Sequence, residues 1–125
     1  MSLRTPLARV LGMGSAKEGV HHWWVQRVTS VALIPLAVSF VVSLLALPGL
    51  DYTSVRLWVH QSWTAVLLVL FIGLACWHSK LGMQVIFEDY VHGGAKVIVI
   101  LLATFFAAGV GLAALVVILK ISFGR

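Results

Sequence analysis

The chain has 125 residues, of which 61% are hydrophobic and only 10% charged. A soluble domain spends about a quarter of its residues on charge, so this composition excludes a disordered chain and a soluble enzyme and makes lipid part of the solvent. Nine Lys and Arg against four Asp and Glu give a formal charge of +5, which in so apolar a chain points to membrane orientation and not to a nucleic-acid partner.

Residues 1–27 form an N-terminal segment at the membrane surface, where Leu3, Leu7, Val10 and Leu11 have helical spacing. That spacing predicts either an interfacial helix or, given Gly12 and Gly14, a frayed tail. Three charge-free runs follow, Val28–Leu47, Leu57–Trp77 and Val97–Leu119, each of 20 to 23 residues. At 1.5 Å per residue each run crosses a hydrocarbon core of roughly 30 Å, and none alternates as barrel strands do. The pattern predicts an all-α integral membrane protein, one domain over 1–125, with transmembrane helices at 28–47, 57–80 and 97–119. Pro35 predicts a bend in the first of these, Pro48-Gly49-Leu50-Asp51-Tyr52 the turn that ends it, and Ser79–Lys96 a longer polar connection.

Three spans put the termini on opposite sides. Arg4, Arg9, Lys17, Arg27, Lys80 and Lys96 fall on one side and Arg56, Lys120 and Arg125 on the other, which predicts the N-terminus inside and the C-terminus outside. Trp23 and Trp24 on one side, with Tyr52 and Trp58 on the other, suit the interfacial aromatic belts. The first apolar run is too long for the h-region of a cleaved signal peptide.

Polar residues near apolar spans are the informative ones, because burying them is costly. His78 ends the second span and is either a haem ligand between helices or an interfacial histidine held by water and headgroups. Spacing alone favours the second reading. His60, on the same expected helix and five turns earlier, faces the same way about 27 Å off, so the two rings cannot share one iron; His60 could serve a second haem near the outer surface, but its place beside Trp58 and Gln61 suits an ordinary interfacial residue better. If a six-coordinate haem is bound, its second ligand comes from another subunit. The Glu88-Asp89-Tyr90 stretch offers carboxylates and a phenol that can donate to, or relay protons toward, a carbonyl at the membrane surface, or is simply a polar loop. Arg27, preceded by His21 and His22, suits either a haem propionate or a positive-inside anchor. Ala103, Ala107 and Gly111 form a ridge that lets another helix approach closely, and Ser39 and Ser43 a shorter one. Cys76, the only cysteine, rules out an intrachain disulfide and reads as a packing residue.

The order of these features is more specific than any one of them. Gly19-Val20-His21-His22-Trp23-Trp24-Val25-Gln26-Arg27-Val28-Thr29-Ser30 opens the first span, His78-Ser79-Lys80-Leu81-Gly82-Met83 closes the second, and Asp89-Tyr90-Val91-His92-Gly93 follows. The chain resembles the small hydrophobic membrane anchors (D-type) of succinate dehydrogenase, respiratory complex II, over nearly its whole length. The resemblance implies that His78 gives one axial ligand to a haem b and that a C-type cytochrome b anchor subunit gives the other. It further implies that Tyr90 hydrogen-bonds a ubiquinone carbonyl, that Asp89 serves proton delivery, and that Arg27 lies near the haem propionates and the quinone pocket. His21 is the implied propionate partner, with His22 beside it as an alternative and Glu88 sharing the carboxylate role. The resemblance also implies an iron–sulfur subunit and a flavoprotein subunit as partners; this chain itself has no Gly-rich nucleotide fingerprint and a single cysteine. The expected place is a bacterial inner membrane in preference to a mitochondrial one. The competing readings are a fumarate reductase-type anchor working from quinol and a non-redox three-helix accessory subunit.

Overall fold

The computed structural model describes residues 17–124, so most of the N-terminal segment, with its leucine spacing, lies outside the described residues. Four helices follow in order: α1 Lys17–Leu45, α2 Tyr52–His60, α3 Ser62–Tyr90 and α4 Gly94–Phe123. No strand occurs among the described residues. α1, α3 and α4 are long and apolar enough to cross a membrane, as the three charge-free runs require.

The helices outrun those runs. α1 begins at Lys17 and not at Val28, and α3 continues beyond Lys80 to Tyr90. A charge-free run marks only the part of a helix that sits in hydrocarbon; the backbone stays helical through the headgroup zone, where Arg27 or Glu88 meets water at little cost. α1 and α3, at 29 residues each, are about 43 Å long. Hydroxyls inside the spans donate to their own helix: Ser30 to the Gln26 carbonyl, Ser43 to that of Phe40 and Thr104 to that of Ile100. Such back-bonding satisfies a hydroxyl where no water is present.

The expected helix 57–80 is corrected in one respect. Its first turn belongs to a separate helix, α2, and the chain is extended at Gln61 (φ −66°, ψ 123°) before α3 starts. α2 starts where it does because Asp51 caps it: one carboxylate oxygen accepts from the backbone N–H groups of Thr53 and Ser54, each at 3.1 Å, and the other from the Ser54 hydroxyl at 2.7 Å. The break turns Trp58 and Val59 inward. With Ala65, Leu68 and Ile118 they form the core, flanked by Phe40 and Leu44 of α1. Phe40 lies 6.0 Å from the Trp58 ring and is stacked on Phe71 at 5.3 Å.

α3 is the central element. α1 and α4 each pack against it, α2 closes over α3 and α4 at one end, and among the described residues α1 and α4 do not approach each other. The small-residue ridge of α4 is used within the chain: Gly111 faces Cys76 of α3. Most other apolar side chains point outward. Of the most apolar stretches of α1, α3 and α4, only 6%, 11% and 0% of residues are buried, which fits a chain surrounded by lipid and partner helices. Between α3 and α4 the turn is Val91-His92-Gly93, and Gly93 takes φ 68°, a left-handed conformation that a side chain would strain.

Candidate functional site

His78 sits inside α3, half-buried, on the side facing α1. Two α1 side chains one turn apart, Gln26 and Thr29, reach its ring. Thr29 is buried, and its Oγ1 lies 2.9 Å from His78 Nδ1. The same hydroxyl lies 2.8 Å from the Val25 carbonyl and 3.0 Å from that of Gln26. The Gln26 amide nitrogen lies 3.3 Å from His78 Nε2, and Gln26 Oε1, also buried, has no hydrogen-bond partner among the described residues. Both ring nitrogens are therefore addressed by one neighbouring helix, which fixes the plane of the imidazole. Sequence reasoning missed Gln26 and Thr29 as site residues. The available signal was their i, i+3 spacing on α1, which puts two polar groups on one face of a membrane helix.

The carboxylates and the phenol lie at the C-terminal end of the same helix. Lys80 donates to Gln84 Oε1 at 2.8 Å, and Gln84 in turn donates to Glu88 Oε1 at 2.8 Å, a ladder of i, i+4 contacts. Lys96 of α4 donates to the Glu88 backbone carbonyl at 3.3 Å. Glu88 is thus engaged, whereas Asp89 and Tyr90 are exposed, Tyr90 at 81%. The helix carries both residues to its last turn, as the reading of a helix continuing past Lys80 requires.

His21 and His22 line a cleft of about 310 Å³ with Trp77, Leu81, Gln84 and Glu88. His21 is exposed; His22 is half-buried, and its Nε2 has no partner among the described residues. Arg27 is on another side of α1, exposed, with its guanidinium 5.3 Å from the centre of the Trp23 ring. The structure therefore brings His21 near Glu88, joins His78 to Gln26 and Thr29, and leaves Arg27, Asp89 and Tyr90 open to whatever lies outside the chain.

His60 belongs to α2, so the expected five-turn phase between it and His78 does not hold; the extended residue Gln61 interrupts it. Its Nδ1 donates to the Ile121 carbonyl at 3.1 Å, tying α2 to the end of α4. No group of three His, Cys, Asp or Glu side chains suited to a bare metal ion occurs among the described residues. An iron already held in a porphyrin needs only an axial nitrogen from a protein.

The succinate dehydrogenase/fumarate reductase transmembrane subunit model matches residues 1–119. Over 120 residues, covering 96% of this chain and 93% of the relative, the sequence is 28% identical to the succinate dehydrogenase hydrophobic membrane anchor subunit of Paracoccus denitrificans. It is 32% identical over 89 residues to the protein of the same name from Rickettsia conorii, covering 70% of this chain and 71% of that one. Identity to the succinate dehydrogenase membrane anchor subunit of Reclinomonas americana is 31% over 80 residues, 62% of this chain and 67% of the relative. No solved structure matches the chain at a significant level.

Proposed function

Because the chain belongs to the succinate dehydrogenase/fumarate reductase transmembrane subunit family, we propose that it is the hydrophobic membrane anchor of a succinate:ubiquinone oxidoreductase. In this reading it assembles with a C-type cytochrome b anchor, an iron–sulfur subunit and a flavoprotein. His78 would be this chain's ligand to a haem b shared with the C-type anchor, and Tyr90 and Asp89 would form its part of the ubiquinone-reduction site.

The observation that carries the reading is the setting of His78. A half-buried imidazole within a membrane-crossing helix is costly unless its polar atoms are used, and here two α1 side chains orient it. The residues present fit a haem: among the described residues, the one hydrogen bond to Nε2 comes from a side chain whose own Oε1 has no partner, so that side chain is poorly held and can be displaced. A bound haem supplies one-electron exchange within the membrane. Arg27 and His21, both exposed beside the N-terminal half of α1, are the groups of this chain that can pair with its propionates.

Reduction of a quinone to a quinol takes two electrons and two protons, so the carbonyls must meet proton donors that are in touch with water. Tyr90 carries a phenol that can donate to a carbonyl oxygen. Asp89 is the carboxylate better placed to move a proton, because Glu88 Oε1 already accepts from Gln84. An inner-membrane location with the N-terminus inside agrees with the distribution of basic residues. It would place Asp89 and Tyr90 on the inner face.

In the assembled complex, Tyr90→Phe is expected to impair quinone reduction while succinate oxidation by a soluble artificial acceptor stays near normal. Equal loss of both would point to failed assembly and away from a quinone role. A reduced-minus-oxidised spectrum without a haem b band in the wild-type complex would overturn the assignment of His78. Menaquinone alone co-purifying would favour the reverse, fumarate-reducing direction.

A further inference from the structure

Thr29 and Gln26 would touch neither quinone nor iron in the function proposed above, yet between them they address both nitrogens of His78. We propose that Thr29 is a positioning residue that fixes His78 in the tautomer with Nδ1 protonated and Nε2 bare, and that Gln26 is a placeholder donor on Nε2 that yields to iron. The proposal rests on the haem reading of His78.

The polarity follows from the protons available. A threonine hydroxyl has one proton and can accept through its lone pairs. The Val25 carbonyl at 2.8 Å and the Gln26 carbonyl at 3.0 Å compete for that proton, as is usual for a helical threonine. What Thr29 Oγ1 offers His78 Nδ1, 2.9 Å away, is then a lone pair, so Nδ1 carries the hydrogen. Nε2 is left as an acceptor, and the group facing it is the Gln26 amide, a donor, at 3.3 Å. All of these contacts agree on one tautomer. The reverse polarity would take the Thr29 proton away from its own helix and would put a hydrogen on Nε2, closing that nitrogen to a metal.

A metal-bound histidine is held and made more basic by what its other nitrogen donates to. Thr29 is suited to that task because it is buried and its χ1 is restricted by β-branching and by the bond to its own helix. Gln26 is suited to leave: one long contact holds its side-chain amide nitrogen, and its Oε1 has no partner among the described residues.

The test uses the detergent-purified complex containing the partner subunits, with Thr29→Val, Thr29→Ser, Gln26→Leu and His78→Ala variants of this chain. Four quantities are read: the haem-to-protein ratio, the low-spin ferric EPR signal, the haem midpoint potential and the rate of haem transfer to excess apomyoglobin. Loss of an outer-shell partner typically weakens a bound metal on the order of 10–100-fold. Thr29→Val, which keeps the shape and removes the acceptor, is expected to speed haem transfer by about tenfold or more and to raise the midpoint potential, because a less basic imidazole stabilises ferric iron less. Thr29→Ser restores both, and Gln26→Leu holds haem at least as tightly as the wild type. A wild-type potential and transfer rate in Thr29→Val would overturn the proposal, as would Thr29→Ser behaving like Thr29→Val. A wild-type complex without haem, or one whose EPR signal survives His78→Ala unchanged, would instead overturn the haem reading on which the proposal stands.

Discussion

Replacing Gly111 tests how closely α4 rides on α3. A Cβ built at Gly111 meets Cys76 Sγ at 3.7 Å and Cys76 Cβ at 3.8 Å, which is ordinary van der Waals contact. Gly111→Ala therefore adds a methyl without displacement, gains a few dispersion contacts of roughly 0.1–0.2 kcal/mol each, and recovers up to about 1 kcal/mol of helix propensity. Its expected effect is neutral to stabilising. In Gly111→Leu the larger side chain starts from a Cβ already in contact with Cys76 and presses on it, and overpacking of this kind costs typically 1–3 kcal/mol. Thermal unfolding in detergent gives the stability. The alkylation rate of Cys76, followed on its own peptide by mass spectrometry, reports the seam directly, because Cys76 is half-buried there and is the sole cysteine of the chain. Gly111→Leu should unfold at lower temperature and react faster at Cys76, and a second change, Cys76→Ala, should recover part of the lost stability. Gly111→Ala proving as harmful as Gly111→Leu, or Gly111→Leu leaving Cys76 as protected as before, would refute the packing described.

Two further outcomes are expected. Trp58 is a core residue whose buried indole N–H has no partner among the described residues; an unmet buried donor costs about 1–3 kcal/mol. Trp58→Phe should therefore fall within about 1 kcal/mol of the wild type, against about 3–5 kcal/mol lost in Trp58→Ala, both read by thermal unfolding in detergent. Bonds from the Ser54 hydroxyl and then the Ser54 backbone N–H hold the Asp51 carboxyl below its ordinary range. A depressed carboxylate stabilises the folded state above its unfolded value and loses that contribution as pH falls through the lowered one. Hydrogen exchange at Thr53 and Ser54 should accordingly rise only in acid below the usual aspartate range, and Asp51→Ala should show the same fraying at neutral pH.

The three spans and their order were legible because twenty consecutive residues without a charge admit few other structures. Their ends were not. Hydropathy reports the hydrocarbon zone, while helix ends are set by caps such as Asp51 and by the Gly93 turn. The break at Gln61 carried neither proline nor glycine to announce it; it follows from tertiary packing of Trp58 and Val59, which a local pattern does not register. At the site, His78, Asp89 and Tyr90 stood out as polar groups near apolar runs. Gln26 and Thr29 did not, since a threonine in a membrane helix is unremarkable until the residue opposite it is known. In the sequence Glu88 shared the carboxylate role given to Asp89, and the hydrogen bond from Gln84 to Glu88 Oε1 now distinguishes the two.

α3 lies between two helices that do not approach each other among the described residues. His78 and Tyr90 both belong to α3, twelve residues apart (90 − 78), and at 1.5 Å per residue their backbones are about 18 Å apart along its axis. Partners that shift α1 or α4 can change what surrounds each residue, but they leave that interval alone. The helix acts as a ruler, marked at one end by an imidazole in the membrane and at the other by a phenol at its surface.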